Sequence, residues 1–259
     1  MIRKMVMARE PGDKLGFRLR GREVSRLEGL SDAVFGFAIT LLVVSLEVPR
    51  TAEQLFAAMR GFVAFGACFA LLYMVWHHHY RFFRRYGLTD TITETLNAVL
   101  LFVVLFFVYP LKFVFGWVIG RMMGDPSHVT LADGRAVPVI QGDEPASLMV
   151  VYGGGYVAVF VIFALLHLHA LRKREVLELD ELEIHDTRDN IRECVLNAAI
   201  GISSIAVAAL GGPGYAVAAG LVYWLIGPVM AVNGVIAGRR RMRIMARVST
   251  GLSPDHLSS

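Results

Sequence analysis

Charged residues are scarce in this sequence of 259 residues, of which 19% are Asp, Glu, Lys or Arg. Soluble domains usually contain about 25% charged residues. Hydrophobic residues make up 55% of the chain and occur in long uninterrupted runs. About 20 mostly apolar residues are needed to cross the hydrocarbon core of a bilayer. The composition therefore indicates an integral membrane protein and argues against a soluble helical bundle.

The sequence also lacks the motifs of common enzymes and metal sites. Its two cysteines, Cys68 and Cys194, lie far apart in or beside apolar segments, which indicates neither a disulfide framework nor a zinc site. It contains no paired-histidine metal motif, nucleophile elbow or glycine-rich phosphate loop in a strand-to-helix context. The three consecutive histidines at 77–79 would point in directions about 100° apart on a helix, so they cannot all face one ion. We therefore expect no enzymatic activity, no cofactor and no resident metal.

Six apolar segments predict an all-α bundle of six transmembrane helices. They are Leu30–Val48, Ala52–Tyr80, Ile92–Ile119, Leu148–Leu171, Ile191–Leu210 and Tyr215–Ala237. The turn Gly211-Gly212-Pro213-Gly214 joins the last two as a tight helical hairpin. We divide the chain into a basic N-terminal tail (1–25), a six-helix domain (26–240) with a loop at about 121–147, and a C-terminal tail (241–259).

The placement of basic residues predicts the orientation. Of the 26 Lys and Arg residues, 21 lie in the two tails and in the connections after the second and fourth segments. The positive-inside rule places these regions, and thus both termini, in the cytoplasm, and it places the loop at 121–147 outside as a loop or short hairpin. Arg60 and Lys112 lie within predicted spans and are long enough to reach the outer surface. Because the charges flank spans and are not gathered on one folded face, we expect contact with a lipid bilayer and no nucleic acid.

Polar residues cluster at the start of the first segment, in the sequence Arg26-Leu27-Glu28-Gly29-Leu30-Ser31-Asp32. Two interpretations are open. Ser31 or Asp32 could cap the helix by accepting hydrogen bonds from its first N–H groups. Alternatively, Arg26, Ser31 and Asp32 hold neighbouring helices, because charged groups in membrane helices normally have partners.

This stretch resembles the signature of the transmembrane protein 175 family of lysosomal and bacterial potassium channels, which is Arg-x-x-x-Phe-Ser-Asp at the start of the first transmembrane helix. Arg26, Ser31 and Asp32 match it, and Leu30 stands where the signature has Phe. The resemblance covers about the first half of the chain. Other features similar to bacterial members are Ala38 to Val43, Glu47-Val48-Pro49, Trp76, His79, Asn97 and Pro110.

The resemblance implies a homotetramer, in a bacterial plasma membrane, whose first helices line a pore for potassium ions. In the family the constriction comes from apolar side chains at positions occupied here by Phe37, Leu41 and Val44. These three residues fall on one helical face, with Thr40 at its edge. Without the resemblance, ordinary packing against helices or lipid would be the preferred interpretation of the same residues. Trp76 and His79, three residues apart, suit a structural contact with the signature residues.

The expected function is a leak-type, potassium-permeable channel with an apolar constriction on its first helix. Four apolar side chains around an axis form a ring that can gate by dewetting. The alternatives are a proton channel or proton-coupled secondary transporter, using Asp32, Glu47 and the histidines, and a membrane scaffold without transport activity. Few polar residues lie deep in the spans, which favours the channel over the transporter.

Overall fold

A computed structural model describes residues 17–21, 23–44, 50–52, 55–56, 59, 61–122, 128–130, 135–138, 144–212 and 215–249. Its helices are α1 (Arg26–Val44), α2 (Phe62–Tyr86), α3 (Thr91–Met122), α4 (Glu144–Arg172), α5 (Glu181–Gly211), α6 (Ala216–Val222) and α7 (Ile226–Ser249). A 3-10 turn, Tyr223–Leu225, joins α6 to α7. Strands β1 (His128–Thr130) and β2 (Ala136–Pro138) form an antiparallel pair between α3 and α4, within the predicted outer loop. The predicted all-α fold is confirmed.

Five helical stretches among these residues are long and apolar enough to cross a membrane. They are Phe62–Tyr86, Thr91–Ile119, Glu144–Arg172, Glu181–Gly211 and Ala216–Arg247. The last stretch contains α6, the 3-10 turn and most of α7. Helix α1 is not among the five; it is 19 residues long and has Arg26, Glu28 and Asp32 in its first two turns. Together with α1, the five stretches account for the six predicted apolar segments.

The start of α1 differs from the prediction. The helix begins at Arg26, not Leu30, because Ser25 and Glu28 form a capping box. The Glu28 N–H donates to Ser25 Oγ at 3.1 Å, and the Ser25 N–H donates to Glu28 Oε2 at 2.9 Å. The interpretation of Ser31 or Asp32 as the helix cap is therefore wrong.

Other boundaries also move: α2 begins at Phe62 and not Ala52, and α7 extends to Ser249, past the predicted end at Ala237. Helix α5 begins at Glu181 instead of Ile191, because a capping box between Asp180 and Glu183 starts it in the polar sequence before the apolar run. Helix α2 continues past the histidines to Tyr86. Gly87 ends it with φ 59° and donates its N–H to the Phe83 carbonyl, a left-handed conformation that glycine adopts without strain.

The main core lies where α1, α2, α3 and α4 meet. Buried apolar side chains from these helices form one cluster, which includes Leu42, Leu72, Leu100 and Phe163. Glycines bring α4 close to its neighbours: a Cβ on Gly155 would lie 2.2 Å from the Phe107 ring of α3. Small residues at helix contacts are the usual route to close packing in membranes. Within this core, α2 and α3 form the surface against which α1 packs.

Candidate functional site

Helix α1 presents one face to the protein and the opposite face to its surroundings. The buried face consists of Ser31, Phe35, Ala38 and Leu42, spaced four, three and four residues apart, and each is at most 2% exposed. The exposed face follows the same spacing, through Gly29, Ala33, Gly36, Thr40 and Val43. Phe37 flanks this exposed row and is 58% exposed. Such a division between faces is what a helical period of 3.6 residues produces.

The exposed face of α1 is less apolar than the outward surface of α3. It carries the hydroxyl of Thr40 and two glycines, with the exposed Asp32 at its margin. The outward surface of α3 is aromatic: Phe102 is 68% exposed and Phe106 60%. Polar and ionisable residues in membrane segments almost always face the bundle interior or a water-filled cavity. The exposed face of α1 therefore combines small residues and a hydroxyl with the apolar Phe37 and Val43, whereas the middle of the exposed surface of α3 is aromatic.

A buried chain of hydrogen bonds ties α1 to α3 and α2. The Ser31 hydroxyl donates to the Leu27 carbonyl at 2.8 Å and accepts from Asn97 Nδ2 at 2.9 Å. Asn97 Oδ1 lies 2.8 Å from His79 Nε2. Since the Asn97 oxygen can only accept, His79 carries its proton on Nε2. Ser31 and Asn97 are 0% exposed and His79 2%, so the chain fixes the rotation of α1 from within the core.

A second hydrogen bond lies at the margin of the exposed face. Trp76 Nε1 of α2 donates to Asp32 Oδ1 at 2.8 Å. The Trp76 ring continues an aromatic ladder on α2, with centroids 5.5 Å from Tyr73 and 5.6 Å from Tyr80. Within the described part of the chain, Arg26 forms no ion pair with Asp32. Leu30, which replaces the Phe of the family signature, is exposed.

The predicted pore residues occupy different positions on α1. Phe37 is exposed, and so is Thr40, whose hydroxyl donates to the Gly36 carbonyl at 2.9 Å. Leu41 is half-buried and packs against the core cluster; the side chain of Val44 lies outside the described residues. The sequence analysis placed Leu41 on the pore-lining face and Thr40 at the edge of that face. In the structure, Thr40 lies on the exposed face of α1 and Leu41 lies at the edge of that face. Their assignment to a pore remains a prediction.

Several other polar residues have contacts that the sequence did not predict. Asn97 is the central member of the buried chain. The Lys112 ammonium donates to the Leu42 carbonyl of α1 at 3.0 Å, a contact between α3 and α1. Arg60 and Glu47 lie outside the described residues.

The three consecutive histidines have different neighbours. His77 stacks near Tyr73, with centroids 6.3 Å apart, and His78 lies 5.7 Å from the Phe163 ring. His79 joins the buried chain through Asn97.

Part of the predicted N-terminal tail packs against the bundle. Phe17 is buried, with its ring 5.5 Å from the Tyr86 ring and under the Arg85 guanidinium at 4.7 Å. Arg20 Nη2 donates to Glu183 Oε2 of α5 at 2.6 Å, and the Arg18 N–H donates to Glu183 Oε1 at 2.8 Å. Residues 17–21 therefore link the start of α5 to the segment that leads into α1.

An ionic cluster holds the connection between α2 and α3 against the end of α4. Asp90 Oδ2 accepts from His169 Nε2 at 2.7 Å and from the Lys173 ammonium, and its Oδ1 caps α3 through the Thr93 N–H at 2.9 Å. Burial alone would raise the pKa of Asp90. The hydrogen bonds from Lys173, Thr93 and His169 outweigh it and hold that pKa well below its usual range.

Comparisons with known proteins show which family and which relatives this chain is similar to. The sequence family "Endosomal/lysosomal potassium channel TMEM175" matches residues 26–107. A potassium channel of Marivirga tractuosa is 36% identical over 239 residues, which cover 88% of this chain and 94% of that protein. A potassium channel of Chamaesiphon minutus is 34% identical over 76 residues, 26% of this chain and 37% of that one.

Solved structures of potassium channels share the fold. The crystal structure of a threonine-to-alanine variant of the potassium channel MtTMEM175, in complex with a nanobody–MBP fusion, aligns with a TM-score of 0.75 and 35% identity, over 88% of this chain and 100% of that one. A lysosomal potassium-selective channel TMEM175 homologue from Chamaesiphon minutus aligns with a TM-score of 0.50 and 22% identity, over 83% of this chain and 96% of that one. At that lower identity the second match concerns the fold alone.

Proposed function

This chain belongs to the TMEM175 family of potassium channels, and we propose that it conducts potassium through a pore lined by α1 from four subunits. It is an integral membrane protein, and its function is that of a potassium channel. The finer proposal is a leak-type channel with an apolar constriction on α1. The basic residues at the C-terminal ends of α2 and α4 and near the end of α7 support a plasma-membrane orientation with both termini in the cytoplasm.

The observation that carries the proposal is the exposed face of α1. A single subunit leaves this face uncovered, and its glycines, Thr40 and Asp32 suit water better than lipid. If four subunits surround one axis with these faces turned inward, the faces together line one water-filled path. The four Phe37 side chains would form an apolar ring along it, and the four Thr40 oxygens would lie one turn further along.

An apolar ring discriminates between ions through the energy of dehydration. An ion that passes it must release part of its water, because apolar side chains offer no replacement ligands. Potassium holds water less tightly than sodium, so partial dehydration costs potassium less. The Thr40 oxygen keeps its lone pairs free to face a passing ion, since its proton is donated to the Gly36 carbonyl.

The anchored face of α1 supports this role by fixing the helix. The Ser31–Asn97–His79 chain and the Trp76–Asp32 hydrogen bond join α1 to two neighbouring helices. A constriction of side chains requires that each helix keeps its rotation, because a turn of 100° would replace Phe37 by a neighbour. These polar contacts, one buried and one at the margin of the exposed face, hold the proposed apolar ring in register.

The test is current through the purified protein in a planar bilayer, with potassium on one side and sodium on the other. We expect a reversal potential displaced towards the potassium equilibrium. Phe37→Ala should raise the conductance and lower the discrimination. Phe102→Ala is the matched control, because Phe102 is also largely exposed, at 68% against 58% for Phe37, but lies on the outward surface of α3. Equal currents from the wild type and Phe37→Ala would reject Phe37 as the constriction.

The same bilayer experiment separates the channel from the proton-transport alternative. Asp32 is an exposed carboxylate at the margin of the exposed face of α1, where it could exchange protons with water. A reversal potential that follows the proton gradient and ignores potassium would favour the alternative. In that case, loss of the proton current in Asp32→Asn would identify the carboxylate responsible.

A further inference from the structure

Helix α7 packs on α5 through one of its faces. The Met230 sulfur accepts a hydrogen bond from Asn197 Nδ2 of α5 at 3.5 Å. Further along the same face, Arg241 Nε donates to Asp186 Oδ1 of α5 at 3.1 Å. These contacts orient α7, because they determine which of its residues point away from α5.

The opposite side of α7 changes from apolar to basic along its length. Four residues at intervals of four, three and four lie on this side of the helix: Val232, Ile236, Arg239 and Arg243. Val232 is 60% exposed and Ile236 42%, and both arginines are exposed. Helix α7 contains no acidic residue. The stretch Ala216–Arg247 also has the smallest buried share of the five apolar stretches, so this side, the exposed face of α7, is turned towards the surroundings of the chain.

The change from apolar to basic matches the boundary between hydrocarbon and headgroups in a bilayer. A helix rises about 1.5 Å per residue, so Arg239 lies about 4.5 Å beyond Ile236 along the axis, and Arg243 about 10 Å beyond it. The headgroup region of one leaflet is about 5–7 Å thick, and arginine side chains are long enough to reach back to it. A single lipid can therefore place its acyl chains on Val232 and Ile236 and its phosphate beside the two guanidinium groups.

We propose that the exposed face of α7 binds an anionic phospholipid such as phosphatidylglycerol. Residues four apart are neighbours on a helix surface, so Arg239 and Arg243 can hold one phosphodiester between them. The planar guanidinium donates paired hydrogen bonds to phosphate oxygens. A choline headgroup carries a cation that the two arginines repel, which gives preference for the anionic lipid. This site would exist whether or not the protein conducts potassium, because it requires only that the stretch lies in a bilayer.

Native mass spectrometry of the full-length protein in detergent tests the site directly. The bound fraction is measured against the concentration of phosphatidylglycerol, and separately against phosphatidylcholine with the same acyl chains. Each arginine near an anionic lipid contributes about five-fold in affinity. The double variant Arg239→Gln/Arg243→Gln should therefore bind phosphatidylglycerol roughly 25-fold more weakly than the wild type, and its binding of phosphatidylcholine should be unchanged.

A matched control removes the same charge from another basic segment. Arg172 and Arg174 are exposed at the end of α4 and just beyond it, where the acidic residues Glu175 and Glu178 follow. Arg172→Gln/Arg174→Gln should keep the wild-type affinity for phosphatidylglycerol to within about two-fold, because nearby carboxylates offset these arginines. Should the double variant in α7 fail to fold, Arg243→Gln alone serves, with an expected loss of about five-fold.

Inorganic phosphate distinguishes a lipid site from a site for free anions. Added in excess, it should not displace phosphatidylglycerol, because it lacks the acyl chains that lie on Val232 and Ile236. Displacement would overturn the assignment to a lipid. Equal affinities in the wild type and the α7 variants, or an equal loss in the α4 control, would overturn the site itself. A change in the mass of the oligomer in the α7 variants would assign this face to contact between copies of the chain and would also overturn the proposal.

Discussion

The two faces of α1 come from the same 19 residues and meet opposite surroundings. On the anchored face, Ser31 is buried and hydrogen-bonded to Asn97, and Phe35 and Leu42 pack into the core. On the exposed face, Phe37 is 58% exposed and Thr40 is also exposed among the described residues. One face is specified by contacts within the chain, and the other is exposed among the described residues and is the face that the proposed function assigns to the pore.

This difference shows how polar residues orient a membrane helix. Lipid tails are as apolar as leucine, so hydrophobicity provides little reason for one side of α1 to face inward. The hydrogen bonds from Asn97 and Trp76 provide that reason, because they are available in only one rotation of the helix. The exposed residues are then free to serve a function that does not depend on packing.

The most severe test of the anchored face is Asn97→Leu. It leaves His79 Nε2 buried without its partner and removes a donor from Ser31. We expect a loss of about 1–3 kcal/mol, because a buried polar group without a partner costs about that much. A lower midpoint of thermal unfolding in detergent would measure it.

Thr95→Ala provides the control for that experiment on the same helix. Thr95 is exposed, and its hydroxyl donates to the Thr91 carbonyl of its own helix, so the change should stay within about 0.5 kcal/mol. If Asn97→Leu unfolds at the wild-type temperature, the buried chain does not hold α1.

The exposed face should respond in the opposite way, and a pair of variants tests this. Phe37→Ala should leave thermal stability nearly unchanged and raise potassium conductance several-fold. Leu41→Ala should lower stability by about 1–2 kcal/mol, since Leu41 is half-buried against the core, with a smaller effect on conductance. Measuring both quantities on both variants decides between Phe37 and Leu41 as the proposed constriction. A larger conductance change in Leu41→Ala would favour the arrangement expected from sequence.

The fold was predictable because lipid demands long apolar runs. Five of the predicted segments correspond to helical stretches of spanning length, and the sixth corresponds to α1. The boundaries were less predictable, since capping boxes start helices in polar sequence. Ser25 with Glu28 begins α1 before its apolar run, and Asp180 with Glu183 does the same for α5. Both pairs have the spacing of a capping box and could have been recognised.

The contacts of the site were less predictable than its members. The sequence analysis expected Trp76 and His79 to contact the signature residues Ser31 and Asp32, but it did not say which of them pair. Asn97 joins Ser31 to His79 across three helices, and no spacing rule within one helix predicts such a contact. The spacing of Gly29, Ala33, Gly36 and Thr40 was the available signal that α1 has a second face centred near Thr40.

A smaller effect is expected at the margin between the two faces. Trp76→Phe removes the donor to Asp32 and keeps most of the aromatic ladder, so the loss should be about 0.5–1.5 kcal/mol. Asp32→Asn retains an acceptor for Trp76 and removes only the charge, so its stability should change less. The double variant should be no less stable than Trp76→Phe alone if the two residues act through one hydrogen bond, and additive losses would contradict that.

The smallest effect concerns Asp90, which lies in the connection between α2 and α3, apart from both faces of α1. It tests whether charge alone stabilises that connection. Asp90→Asn keeps the cap on α3 and weakens the interaction with Lys173 and His169. Because the pKa of Asp90 is lowered in the folded protein, the carboxylate adds stability that is fully present above its unfolded pKa of about 3.9. That stability is lost as the pH falls through the lower, folded value. The wild type and Asp90→Asn should therefore differ slightly in unfolding midpoint near neutral pH, which corresponds to less than about 1 kcal/mol for a partly exposed pair. The two midpoints should converge in acid. A difference that persists at low pH would assign the effect to packing.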